Sequence, residues 1–181
     1  MSLDLSPVVT ATAQWLLRAY PPAGGPLGTA LAEAQARQAA TVAAWLRYPT
    51  SVDAALVAMV GPGGSGRLDW LVGADAGRYD PEERYDHRDH AWRTWVDEVV
   101  TSWAACLLTD PALAAAAVAV VAHGEHAAGA PADFRRLTAP GDRDRTAAAL
   151  LRHPDLLAPI ADLHRPQLRR LLDAEPLDRA G

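Results

Sequence analysis

Two tetrads of one pattern stand in this chain, His87-Arg88-Asp89-His90 and His123-Gly124-Glu125-His126. Each reads His-x-acid-His. Imidazole is the commonest metal ligand and the side chain that exchanges protons near neutral pH. Four imidazoles and two carboxylates would therefore hold a divalent metal or relay a proton if the tetrads met. The pattern is less specific than a named metal motif. No His-Glu-x-x-His occurs. The residue three before each of the six histidines is Arg84, His87, Val120, His123, Leu150 or Ala161. None is a carboxylate, so the Glu-x-x-His pair of di-iron bundles is missing too.

Other chemistry is thinner. Gly61-Pro62-Gly63-Gly64-Ser65-Gly66-Arg67 has the glycines of a phosphate loop. It lacks the Lys-Ser/Thr that would grip phosphate and magnesium, and Leu68 follows instead. Residues 61–67 read as a flexible surface loop. Cys106 is the single cysteine, which excludes an internal disulfide and a cysteine-cluster metal site. Its place on an apolar stripe predicts a small buried hydrophobe, not a nucleophile. Six tryptophans stand against one phenylalanine. Core filling is their ordinary role. An aromatic ligand pocket lined by Trp92, Trp95 and Trp103 is the alternative.

The elements that must position these residues are helices. Ser6-Pro7, Asp80-Pro81 and Asp110-Pro111 each set a capping side chain before a proline at the first helical position, where no amide is wasted. Helices are expected over about 7–20, 29–48, 81–108 and 111–127. Two or three more are expected between 142 and 175, punctuated by Pro154, Pro159 and Pro166. Residues 54–72 allow a β-hairpin around the glycine loop, but Ala and Met favour helix. The fold expected is all-α: one domain over 1–181, a bundle of about five to eight helices. An antiparallel hairpin of 81–108 and 111–127 forms its centre.

Trp92, Val96, Val99 and Trp103 recur at i, i+4, i+7 and i+11, a core stripe if the helix is continuous. His87 and His90 then fall opposite, beside Thr94, Asp97 and Thr101, on a polar face. The next helix has no polar side chain from Ala112 to Ala122, which predicts burial on most sides. Its alanine side, Ala112, Ala115, Ala116 and Ala119, would admit another helix closely. His123 and His126 continue that side, where they would serve the last carbonyls. At 1.5 Å per residue, His126 comes level with about Arg93 across an antiparallel pair, one turn from His90. The candidate metal set is thus His90, His123 and His126, at a subunit interface if anywhere.

Bulk properties narrow the function. The chain has 181 residues, 50% apolar, with a net charge of −5. That suits a folded domain and disfavours nucleic acid, which needs clustered cations. Every basic residue is Arg, a bias that fits a GC-rich genome. The longest apolar run, Ala112 to Ala122, is too short for a bilayer, which takes about 20 residues. No basic segment with a following apolar run opens the chain, so a cytoplasmic protein is expected. With no complete catalytic motif, the leading expectation is a non-catalytic helical interaction or regulatory module, acting on a protein partner or as a homo-oligomer. The alternative is a helical protein or enzyme that binds a divalent metal or small molecule through the tetrad histidines.

Overall fold

The computed structural model describes residues 4–63, 65–74, 91–129, 133–149 and 151–174. Among them are ten α-helices, two 3-10 segments and no strand. The helices are α1 (Ser6–Ala19), α2 (Gly25–Arg47), α3 (Ser51–Val60), α4 (Gly66–Leu71), α5 (Glu98–Thr109), α6 (Pro111–Val121), α7 (Arg135–Thr138), α8 (Asp142–Ala147), α9 (Pro154–Ala161) and α10 (Arg165–Asp173). The fold is all-α, and helices occupy both sides of the glycine loop where a hairpin was the alternative.

Small side chains organise the centre. Ala32, Ala36, Ala39, Ala40, Ala43 and Ala44 of α2 are fully buried, and so are Ala104 and Ala105 of α5. Such faces let two helix backbones approach closely and make many weak contacts at once. Against this pair lie α1, on α2, and α9, on α5. Two polar links fix the direction of α2 against α5. Tyr48, the residue closing α2, donates its hydroxyl to Asp97, the N-cap of α5, at 2.5 Å. Toward the other end, the Arg152 guanidinium donates to Gln35 Oε1 in α2 and to the Leu108 carbonyl in α5, each at 3.1 Å. The helices are therefore antiparallel. A third Arg152 bond, also 3.1 Å, reaches the Arg136 carbonyl. Burial lowers the Arg152 pKa.

Helix starts follow their caps. Asp110 accepts from the amides of Ala112 and Leu113 and begins α6, as its sequence predicts. α2 begins at Gly25 rather than near Thr29, because Gly24 takes a left-handed φ of 102° and turns the chain in. Gly28 is also forced: a Cβ there would stand 2.4 Å from the Ala23 carbonyl oxygen. α1 begins one residue early, with Asp4, not Ser6, receiving the free Ser6 amide. The cap expected at Asp80 lies outside the described residues.

The expected helix over 81–108 is not continuous. Residues 81–90 lie outside the described residues, Ala91–Trp95 is a 3-10 segment, and α5 starts only at Glu98. The cause is Asp97: its extended backbone and its carboxylate, which accepts from the Val100 amide at 3.0 Å, make it an N-cap. The wheel drawn through the break fails accordingly. Asp97 and Thr101, expected on a polar face, are buried. The Thr101 hydroxyl is satisfied by the Asp97 carbonyl. α6 departs from expectation as well. It ends at Val121 and buries only Ala114, Ala117 and Val121, while Ala112, Ala115, Ala116 and Ala119 face solvent. Cys106 is buried as expected, its thiol donating to the Ala161 carbonyl, and burial pushes its pKa up.

Candidate functional site

The second tetrad lies where three helix ends converge. After α6 the chain turns through His123 and Gly124 into the 3-10 segment Glu125–Gly129. The His123 Nδ1–H donates to the Ala119 carbonyl at 2.9 Å, serving the C-terminal end of its own helix. A carbonyl can only accept, so neutral His123 carries its lone pair on Nε2. Glu125 accepts from the Ser51 amide at 2.9 Å, at the start of α3. The His126 Nε2–H donates to the Tyr48 carbonyl at 2.7 Å, so its lone pair sits on Nδ1. His126 thus serves the end of α2 rather than of α6. Its ring stacks on Trp45, with centroids 5.8 Å apart and planes 24° apart. One tetrad therefore fastens the elbow between α2 and α3.

Around that elbow sits a cavity of about 460 Å³. Leu46, Val120, Val121 and Leu171 are among its apolar lining residues, and Trp45, His123 and His126 are its nitrogen-bearing side chains. His123 is exposed and His126 half-buried. Trp45 and His126 also line a second cavity of about 300 Å³ that reaches Asp4, Thr10 and Arg37, so the stacked pair is a shared wall.

The first tetrad, His87 to His90, lies outside the described residues. The candidate set of His90, His123 and His126 is therefore placed at His123 and His126 only. Among the described residues no group of three or more His, Cys, Asp or Glu is arranged to hold a metal ion. His123 and His126 each give one ring N–H to a backbone carbonyl and keep a lone pair on the other ring nitrogen.

The tryptophan set divides. Trp92 and Trp95 line a cavity of about 540 Å³ with Thr10, Gln14 and Arg18. Trp103 is not among its lining residues; it is buried in α5 and donates its indole N–H to the His164 carbonyl at 3.1 Å. Arg18 and Arg93 both lie against the Trp92 ring, at 4.8 and 5.2 Å from its centre. Arg93 pairs with Asp69, a buried carboxylate that also accepts from Trp15 Nε1 at 2.9 Å. That cluster joins α1, α4 and the 3-10 segment Ala91–Trp95, with Trp92 Nε1 and Arg93 Nε buried and without a hydrogen-bond partner among the described residues.

Two features escaped the sequence reading. His164 Nε2 lies 3.1 Å from Glu98 Oε1, across 66 residues, and Arg67 lies 3.8 Å from the same oxygen. No spacing signals such a pair. The second is the outer face of α3. Val52, Leu56, Met59 and Val60 are 65, 53, 80 and 83% exposed. The signal was available: apart from Ser51 and Asp53, residues 51–60 carry no polar side chain. No described helix is long and apolar enough to cross a membrane. In comparisons with protein-family models, curated proteins and solved structures, the chain matches none.

Proposed function

We propose that this chain is a non-catalytic helical interaction module that self-associates through α3. The observation that carries the reading is the exposed row Val52, Leu56, Met59 and Val60. Their spacing of i, i+4, i+7 and i+8 makes one apolar seam along the helix. An isolated exposed leucine needs no explanation, but a contiguous apolar row is what an interface leaves bare. A second copy suits the seam because it asks for no complementary charge. The one acid of α3, Asp53, is engaged with Thr50 at the helix start. Two α3 seams related by a two-fold axis would cover each other. A ten-residue helix is only about 15 Å long, so the association is weak and concentration-dependent.

The acidic charge supports a protein partner over nucleic acid. The metal-centred alternative gains less support, since among the described residues no group of three or more His, Cys, Asp or Glu is arranged to hold a metal ion. Sedimentation equilibrium from micromolar to millimolar protein tests the proposal. The average mass should rise with concentration, and Leu56→Lys with Met59→Lys should return it to the monomer. A monomer at every concentration, or a mass rise that survives both substitutions, overturns it.

A further inference from the structure

We infer that the cavity beside the α2–α3 elbow is a binding site for a neutral, mainly aromatic or hydrocarbon small molecule that carries one hydroxyl or N–H donor. The inference is independent of self-association through α3. Size is the first argument. An apolar cavity of about 150 Å³ is enough to hold benzene, and this one is about 460 Å³. That lies within the range of small-molecule sites, roughly 300–1,000 Å³.

The chemistry of the lining is the second. Leu46, Val120, Val121 and Leu171 offer hydrocarbon, and Trp45 offers an indole. None of the described lining residues is Arg, Asp or Glu. A formally charged ligand would give up its hydration there and meet no fixed countercharge among those residues, which is unfavourable. Besides the indole N–H of Trp45, the polar side-chain groups among the described lining residues are the two imidazoles. Their backbone bonds select the tautomers: His123 holds Nδ1–H against the Ala119 carbonyl, and His126 holds Nε2–H against the Tyr48 carbonyl. His123 Nε2 and His126 Nδ1 are left as lone-pair acceptors with no hydrogen bond to them among the described residues. The lining therefore asks its occupant for a donor, and an apolar body to go with it. His123 stands at the exposed rim and His126 deeper, stacked on Trp45. A ring system entering past His123 meets an aromatic wall already held flat.

The probe is 1-naphthol, with naphthalene as its donor-free counterpart, titrated calorimetrically into the full chain at neutral pH. One saturable site is expected for 1-naphthol. Naphthalene should bind about tenfold more weakly, because it leaves an imidazole acceptor desolvated and unpaired. Val120→Phe, at a half-buried lining position, should fill the cavity and weaken 1-naphthol at least tenfold. His123→Ala, at the exposed rim, should remove most of the preference for 1-naphthol over naphthalene. Thermal melting of both variants checks that they fold. Absence of saturable 1-naphthol binding overturns the inference, as does binding that folded Val120→Phe leaves unchanged. Equal affinity for naphthalene overturns the donor requirement. Failure here leaves the sedimentation result for α3 untouched, and the reverse holds too.

Discussion

α3 and α6 are both nearly free of polar side chains, yet they meet solvent in opposite ways. α6 buries Ala114, Ala117 and Val121 and turns alanines outward. α3 buries Ala54 and Val57 and turns Val52, Leu56, Met59 and Val60 outward. Alanine is the best helix former and exposes little hydrocarbon, so the outer face of α6 is explained by helix propensity alone. Leucine and methionine form helices nearly as well as alanine and valine does so less well, but all three leave far more hydrocarbon in water on the outer face of α3. Apolar composition therefore does not by itself signal burial or binding. The size of the side chains left outside does.

The largest effect should come from placing a charge on each side of α6. Ala117→Glu puts a carboxylate where exposure is zero, and it should destabilise by at least about 3 kcal/mol in urea unfolding. Ala116→Glu, on the solvent side, should stay within about 0.5 kcal/mol. If both were equally damaging, the outer alanines would be an interface and the contrast with α3 would collapse.

A smaller effect is expected within α3. Val57→Ala removes buried methyls and should cost on the order of 1–2 kcal/mol. Leu56→Ala should change dilute-monomer stability by less than about 0.5 kcal/mol while weakening association at high concentration. Urea melts at two protein concentrations separate these outcomes. A large loss from Leu56→Ala in dilute solution would mean that its side chain serves the monomer.

The smallest effect concerns how α3 starts. The Thr50 hydroxyl accepts from the Asp53 amide, and Asp53 accepts in return from the Thr50 hydroxyl and amide. These bonds hold the Asp53 carboxyl below its ordinary pKa. A depressed carboxyl contributes stability above its unfolded value, near pH 4, and that contribution fades as pH falls through the lower folded value. Thr50→Ala should cost about 1 kcal/mol. Amide exchange in α3 should accelerate in acid before that in α6, and Asp53→Asn should remove this difference. Equal acid response in the two helices would show that the capping box does not govern α3.

The sequence made the helical class legible, together with most helix ends, because prolines, glycines and caps act locally. Asp110-Pro111 is the clearest case. The break at Val96-Asp97 was hidden by a hydrophobic spacing that ran straight across it, although Asp97-Glu98 is itself a helix-start signal. Local rules predicted His123 on its own helix end. They could not predict His126 on the end of α2, 78 residues away in the chain. His126 reaches that carbonyl only because α6 and α2 finish at the same level. The Glu98–His164 pair and the cavity under Trp45 depend on tertiary packing in the same way.

Arg152 carries a consequence for the order in which the molecule matures. Its three acceptors, on Gln35, Leu108 and Arg136, all precede it in the chain. During synthesis α2 and α5 emerge long before the guanidinium that joins them. Gln35 is then either hydrated or buried without this donor, and burial without it is costly. The end of the α2–α5 contact held by Tyr48 and Asp97 is thus available early, whereas the end at Gln35 and Leu108 is latched only when the last third of the chain arrives.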